Sequence, residues 1–315
     1  MAYLRFAGVK NFTVISVFQY DTENPPFQAS RLDLDKIRVK AVSRIKFYGV
    51  RGSIPVCSEG FQRFGGNTTC ILVEGPKRTV ILDAGTGIRE LGKEMVNDPH
   101  LGIDRPCHLA FSHFHWDHIQ GLPFFLPAYD SRRTFMISAI GRERGKDLRS
   151  IFETQMREVY FPVSLDSMGA KIVFFQHLEN HLSMDQAFVR AIKHNHPGGA
   201  HSFRLQDIEG RVVVYCTDIE HGDGIDKRVV ELARNADVLI HEAQYTPEEL
   251  PRHRGWGHSS WAQAVEVAEK AQVKRLIITH HDPDHDDEFL YEVERQCRLR
   301  FPNSFLAREK MEFEI

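Results

Sequence analysis

The sequence His113-Phe114-His115-Trp116-Asp117-His118 decides how the rest of this chain is interpreted. It directly follows an apolar run, residues 107–111, which is typical of a β-strand that ends at a loop. Histidine nitrogens and aspartate oxygens suit zinc, manganese or iron. Because side chains alternate along a strand, His113 and His115 point the same way and can share one metal. Asp117 and His118 lie past the bend and can face a second metal. A solvated, histidine-rich turn is the alternative.

Three further residues of the same chemistry, His196, Asp218 and His280, stand near the ends of later apolar runs, and they argue against a mere turn. With the first cluster they make seven ligands. Two cations about 3.5–4 Å apart need roughly that many, together with a bridging carboxylate and a bridging water. Asp218 is the natural bridge, because only a carboxylate offers two oxygens to two ions. His281 follows His280 directly, and strand alternation places only one of the two in the site.

On these residues the chain resembles the metallo-β-lactamase superfamily of binuclear hydrolases. The resemblance runs from about residue 45 to about residue 287 and is greatest to the phosphodiesterase branch, which holds tRNase Z and the cyclic-phosphate and cyclic-nucleotide phosphodiesterases. The motifs that favour this branch are residues 48–53, 65–68, 81–87, 241–243, 257–260 and 279–281. The resemblance implies an α+β fold, a four-layer αββα sandwich.

The resemblance also implies how the ligands are divided between two divalent metal ions, zinc or manganese, with iron as a further possibility. One metal is expected to be held by His113, His115 and His196. The other is expected to be held by Asp117, His118 and His280, with Asp218 between the two. The resemblance favours His280 over His281 as the ligand.

Two cations that share a water lower its pKa enough to supply hydroxide near neutral pH. Asp117 is placed to ligate a metal and to accept a proton from that water, or else it is a ligand alone. The leaving group needs a separate proton donor, and His258 is the candidate. The family's phosphodiesterase branch uses a Glu–His pair, and Glu242 is expected to hold the His258 imidazole and raise its pKa. A surface or capping histidine is the alternative.

Three other features have both a functional and a structural interpretation. Asp83 ends a strand and can accept the second N–H of a metal-bound histidine, or it can cap a helix. The backbone of residues 65–68 can bind an anion, or it can form a glycine-rich hairpin. Trp116 and the aromatic run 123–129 can stack a nucleobase, or they can belong to the core. Trp256, beside His258, is a further candidate wall.

The chain of 315 residues divides into an N-terminal extension, residues 1–44, and a hydrolase domain, residues 45–315. Eleven short β-rich runs lie between residues 45 and 279. Helices are predicted over residues 147–158, 226–235, 261–271 and 288–299. Ser260 with Gln263 three positions later predicts a capping box at the start of the third helix.

Composition excludes several classes. No apolar stretch approaches 18 residues, so no membrane span is expected, and the chain is predicted to be cytoplasmic. Five cysteines are widely spaced without a C-x-x-C pair, which indicates neither a disulfide framework nor a thiolate zinc site. A net charge of −3 gives no electrostatic footprint for nucleic acid.

The predicted substrate is therefore a small phosphodiester, a cyclic nucleotide or a cyclic phosphate. tRNase Z carries a long tRNA-gripping arm between the ligands equivalent to His196 and Asp218, whereas only 21 residues separate them here. A tRNase Z-like RNA endonuclease and a lactone or thioester hydrolase are the alternatives on the same metal site. A diiron redox enzyme of the superfamily usually has a carboxylate at the position of His115, and a non-catalytic binding module would be expected to have lost ligands. A homodimer is possible, since dimers are common in the branch.

Overall fold

The computed structural model describes residues 43–75, 78–98, 107–140, 148–177, 181–184 and 187–315. The predicted N-terminal extension lies outside the described residues except for its last two positions. The division of the chain at residue 44 therefore stays a prediction.

Fourteen strands are seen in the described part of the chain. They are β1 (Arg44–Gly49), β2 (Cys70–Glu74), β3 (Thr79–Leu82), β4 (Cys107–Phe111), β5 (Thr134–Ile140), β6 (Lys171–His177), β7 (His181–Met184), β8 (Ala187–His194), β9 (Ala200–Gln206), β10 (Val212–Cys216), β11 (Val238–Glu242), β12 (Leu276–Thr279), β13 (Ser304–Leu306) and β14 (Glu312–Glu314). The α-helices of the same ranges are α1 (Ile88–Asn97), α2 (Trp116–Ile119), α3 (Leu148–Gln155), α4 (Lys227–Ala233), α5 (Trp261–Ala271) and α6 (Asp287–Arg300).

The strands form two mixed sheets of seven strands each. The order in the first sheet is β14-β1-β2-β3-β4-β5-β6, and the order in the second is β13-β12-β11-β10-β9-β8-β7. In the first sheet β3, β4, β5 and β6 are parallel. In the second, β10, β11, β12 and β13 are parallel, so these four strands end at one edge.

Three separate hydrophobic cores show that the sheets and helices form four layers. The inner core joins the sheets, with Phe47 and Leu82 from the first packed with Val213 and Ile277 from the second. An outer core packs α1 and α3 on the first sheet. A second outer core packs α4, α5 and α6 on the other sheet. Burying apolar faces on both sides of each sheet is what drives such layering, and the expected αββα sandwich is confirmed.

Local signals explain most of these elements. All eleven predicted strands are present, and α5 begins with the predicted capping box, in which Ser260 Oγ accepts from Gln263 N and the Gln263 side chain accepts from Ser260 N. Helix α1 was missed, although Ile88, Leu91 and Met95 follow the helical spacing and are buried. No helix in the described ranges is both long and apolar enough to cross a membrane.

Candidate metal centre

The ends of four strands bring the predicted ligands to one edge of the sandwich. β4 of the first sheet leads into His113, and β8, β10 and β12 of the second sheet lead to His196, Asp218 and His280. Strand pairing in the second sheet and the packing of the two sheets therefore gather four residues from widely separated chain positions.

The first group of donors is His113, His115 and His196, whose ring nitrogens lie within 4.8 Å of one another. The closest pair is His196 Nε2 and His115 Nδ1, at 3.0 Å. Two of the three are buried, whereas His115 is exposed. This is the grouping that the sequence predicts for one metal.

The second group is Asp117, His118, Asp218 and His280, which are all buried and also lie within 4.8 Å. Asp218 faces both groups. Its Oδ1 lies 3.7 Å from His113 Nε2 and 3.7 Å from His196 Nε2. Its Oδ2 lies 3.2 Å from His118 Nε2 and 3.4 Å from His280 Nε2. Each carboxylate oxygen therefore serves a different set of histidines, as a bridging ligand requires.

The chemistry of this donor set fits divalent cations. His113 Nε2 is buried without a hydrogen-bond partner and faces Asp218. Burial lowers the pKa of His113, which keeps its imidazole neutral as a ligand must be. Burial alone would raise the pKa of Asp218, but the surrounding histidines lower it well below its usual value, so this carboxylate is ionised. The residues present therefore fit two divalent metal ions.

Asp83 orients two of the predicted ligands. Its Oδ2 accepts from His118 Nδ1 at 2.9 Å and from the Ser112 hydroxyl at 2.8 Å, and its Oδ1 accepts from Ser112 N at 2.8 Å. Ser112 Oγ in turn lies 3.1 Å from His113 Nδ1. The tautomer that donates from Nδ1 leaves His118 Nε2 free to bind a metal. This geometry favours the interpretation that Asp83 orients a metal-binding histidine over the interpretation that it caps a helix.

Asp117 lies between its predicted neighbours. Its Oδ2 is 3.2 Å from His280 Nε2 and 3.3 Å from His118 Nε2, and it accepts a hydrogen bond from Ser53 N at 2.8 Å. Burial opposes ionisation, but the two histidines lower the pKa of Asp117 far below its usual value. It is therefore an anionic group at neutral pH.

His258 lies beside the ligands, but its relation to Glu242 differs from the expectation. His258 Nδ1 is 3.9 Å from Glu242 Oε2, beyond hydrogen-bond range, and has no partner. Glu242 instead accepts from Ser259 N at 2.6 Å and from Gln244 N at 3.0 Å. Burial lowers the pKa of His258 to about 3 and raises that of Glu242 to about 8. The expected rise in the pKa of His258 is thus reversed, because desolvation outweighs the attraction of the Asp218 and Asp117 carboxylates.

Other predicted features have definite places. His281 points away from the ligands and its Nε2 lies 2.9 Å from the Ala307 carbonyl, so the two adjacent histidines face different directions. In the segment 65–68, Asn67 N and Thr68 N already donate to Glu309 and to the Thr86 hydroxyl, which favours the structural interpretation over anion binding. Trp116 is 65% exposed, so it is not a core residue.

A cavity of about 270 Å³ opens over the donors. It is lined by Ser53, His115, Trp116, Asp117, Asp218 and His258. Its size is near the lower end of the range for small-molecule sites. Trp116 and His258 therefore reach the same space as the predicted ligands.

Sequence reasoning missed two supporting residues. Ser53, at a φ of +62°, turns its N–H toward Asp117, and Tyr215 donates to Asp83 Oδ2 at 2.7 Å. A polar tyrosine in the otherwise apolar run of β10 was the signal for the second. Nothing in the sequence marks the backbone direction of Ser53.

Comparisons with known proteins agree with this geometry. A family model described as the β-lactamase superfamily domain matches residues 78–281. The structure of the metallo-β-lactamase fold protein YhfI from Bacillus subtilis has a TM-score of 0.66 and 17% identity, over 88% of this chain and 100% of that one. A diphosphatase of the PhnP family has a TM-score of 0.63 and 19% identity, over 87% and 98%. Because the sequence identities are below 20%, the likeness to these two structures shows a shared fold and nothing more.

Curated relatives point the same way. Ribonuclease Z of Crocosphaera subtropica is 37% identical over 109 residues, which are 34% of this chain and 34% of the relative. The chain thus spans about a third of that relative's length. Ribonuclease Z of Archaeoglobus fulgidus is 27% identical over 323 residues, which cover 86% of this chain and 97% of the relative. The family match, which includes all seven predicted ligands and more than half of the chain, shows that this protein belongs to the β-lactamase superfamily.

Proposed function

We propose that this protein is a metal-dependent hydrolase that cleaves a small phosphodiester, a cyclic nucleotide or a cyclic phosphate. The observation that carries the proposal is the position of Asp218, whose two oxygens face two different sets of histidines. A site for a single metal does not require a carboxylate that faces two sets of histidines, whereas phosphoester cleavage commonly relies on two cations.

The predicted ligands can be assigned to two metal positions. His113, His115 and His196 would hold one cation, and Asp117, His118 and His280 the other, with Asp218 shared. When bound, zinc or manganese ions would acidify a water and neutralise charge on the phosphoryl oxygens. Asp117 stays ionised and can orient that water by accepting a hydrogen bond from it.

His258 is the proposed proton donor to the leaving alkoxide. It lines the cavity with Asp117 and Asp218, and its Nδ1 is unpartnered. Its pKa in the substrate-free protein is low, but an anionic phosphodiester beside the ring would favour the protonated imidazole. Glu242, held by Ser259 and Gln244, would then position the loop that carries His258.

The chain segment between His196 and Asp218 supports a small substrate. It consists of β9, a turn at residues 207–211 and β10, which pair as a tight antiparallel hairpin. The resemblance to tRNase Z implies a long arm in this interval, and the hairpin leaves no residues for one. Trp116, exposed at the cavity, is a surface on which a nucleobase could stack.

An RNA endonuclease is the second candidate, because the curated relatives are named ribonuclease Z. A lactone or thioester hydrolase is the third. It would use the same ligands but would not need a proton donor such as His258 for its leaving group.

A substrate panel separates the three candidates. The purified protein, supplied with Zn²⁺ or Mn²⁺, is assayed with bis-p-nitrophenyl phosphate, cyclic AMP, cyclic dinucleotides, a 3′-extended tRNA precursor and a lactone. We expect metal-dependent turnover of the phosphodiesters, with kcat/KM for the cyclic nucleotides above that for the RNA. Lactone turnover without phosphodiester cleavage would reject the proposal, and efficient trimming of the tRNA precursor would favour the second candidate.

Two variants serve as the control pair. Asp218→Asn removes the shared carboxylate and should reduce turnover at least about a hundredfold. Asp166→Asn changes a carboxylate that is 78% exposed and lies outside the cavity, so its turnover should match that of wild type. Activity that survives in Asp218→Asn would come from another site or from a contaminant.

A further inference from the structure

A further carboxylate, Glu220, lies two residues after Asp218 and binds the glycine-rich turn that carries His258. Its Oε2 accepts from Gly255 N at 2.8 Å and from Gly257 N at 2.9 Å, and its Oε1 accepts from Gly255 N at 3.0 Å. Hydrogen bonds to an ionised carboxylate are stronger than those to a neutral acceptor. One half-buried side chain therefore fixes two backbone groups of the same turn.

The turn that Glu220 holds touches a metal ligand directly. The Gly257 carbonyl accepts from His196 Nδ1 at 2.9 Å, which leaves His196 Nε2 directed at Asp218. Gly257 has a φ of +90°, and a Cβ at this position would lie 2.2 Å from His196 Nδ1. The contact between the turn and the ligand is thus close and specific.

The backbone of Glu220 also forms hydrogen bonds with Asn195, the residue before His196. Glu220 N donates to the Asn195 carbonyl at 3.0 Å, and Asn195 Nδ2 donates to the Glu220 carbonyl at 3.2 Å. Residue 220 therefore connects the loop after β10, the loop before His196 and the turn before His258.

We propose that Glu220 is a positioning residue that fixes the orientation of His196 and the place of His258 by holding the backbone of residues 255–257. Glu242 performs the matching task at Ser259, whose N–H and hydroxyl both donate to its Oε1. His258 is thus flanked along the chain by two residues, Gly257 and Ser259, that are each bound to a glutamate side chain. This inference rests on the proposed metal site, but not on the identity of the substrate.

The test measures metal affinity and loop exchange in the full-length protein. Metal dissociation constants come from competition between Zn²⁺ and a chromogenic chelator, and hydrogen exchange is followed in peptides that cover residues 254–258. Glu220→Ala should bind Zn²⁺ about tenfold more weakly, since loss of a group that orients a ligand typically costs 10–100-fold. Its amides in 254–258 should exchange faster in the presence and in the absence of metal.

Two further variants make the result interpretable. Glu220→Gln retains a carbonyl acceptor and should recover part of the affinity, which a residue needed only for folding would not show. Glu231→Ala removes an exposed carboxylate of α4 that pairs with Arg234, and its affinity should stay within about twofold of wild type. Thermal unfolding confirms that each variant is folded.

The inference is overturned if folded Glu220→Ala binds Zn²⁺ as tightly as wild type, whether or not the loop exchanges faster. It is also overturned if the exchange of residues 254–258 is unchanged. Because neither readout uses a substrate, both can be decided even if the protein hydrolyses no phosphodiester, an outcome that would remove the proposed function alone.

Discussion

Replacing Asp83 with asparagine is expected to weaken metal binding while leaving the fold intact. The side chain is buried and accepts four hydrogen bonds, from His118 Nδ1, from the Ser112 amide and hydroxyl, and from the Tyr215 hydroxyl. Asparagine offers one oxygen in place of two, carries no charge and turns an NH₂ group toward groups that themselves donate. Asparagine tolerates the φ of +59° found at position 83, so the substitution changes the chemistry of the side chain and leaves the backbone conformation as it is.

The expected magnitude follows from the contacts that are lost. A partner that orients a metal-bound histidine typically contributes 10–100-fold in metal affinity, which corresponds to about 1.4–2.7 kcal/mol. A buried donor left unpaired costs about 1–3 kcal/mol of folding stability. Asp83→Asn should therefore bind the metal at least about tenfold more weakly and unfold at a lower temperature.

The assay is chelator competition with Zn²⁺, with Tyr215→Phe and Asp166→Asn as companions. Tyr215→Phe removes one of the four donors but keeps the bond between His118 and Asp83, so its loss should be no more than about threefold. Asp166→Asn should bind as wild type does. If Asp83→Asn binds Zn²⁺ within twofold of wild type, the carboxylate does not orient His118 for a metal, and the interpretation of the site is refuted.

Three further outcomes are expected. His258→Ala should lower kcat for a dialkyl phosphodiester about a hundredfold or more, but should lower kcat for bis-p-nitrophenyl phosphate far less, because the p-nitrophenolate leaving group barely needs protonation. Equal losses of kcat on both substrates would show that His258 is not the acid. Gly257→Ala should weaken Zn²⁺ binding far more than Gly255→Ala does, because both glycines have positive φ but only the first would bring a Cβ against His196. Zn²⁺ affinity should rise with pH through and above about 6.5. Burial opposes protonation of His118 and His280, but the adjacent carboxylates raise the pKa of both, so a metal must displace their protons. An affinity that does not change with pH would contradict this.

Most of the site could be predicted because local rules select its members. The cluster of residues 113–118 names four donors at once. The structure places His280 in the site and turns His281 to the Ala307 carbonyl, although His280 follows β12 with a φ of +60°, so a turn of the backbone rather than strand alternation sets the two directions. The strands themselves were predictable because their apolar residues alternate or form short buried runs.

The parts that escaped prediction depend on long-range geometry. β13 and β14 have three residues each, which is too short for a pattern to stand out. Helix α1 begins without a capping side chain and contains Gly92, and both features weaken the helical signal. The distance between Glu242 and His258 depends on where the chain turns after β11, and no local spacing encodes it.

The backbone of two predicted ligands and of Asp83, which orients His118, explains how such a site can be ready before a cation arrives. Asp83, Asp218 and His280 follow the ends of β3, β10 and β12 and have φ values of +59°, +55° and +60°. Each such residue costs roughly 1–3 kcal/mol and persists only where the surroundings hold it. The His280 ring lies directly against Gly52, where a Cβ would come within 2.3 Å of it, so only glycine leaves room for the ring. The strain is thus concentrated where strand ends turn their side chains toward one point, and the packing of two sheets maintains it. Cations that bind there need little rearrangement of the chain, which is the property that a hydrolytic metal site requires.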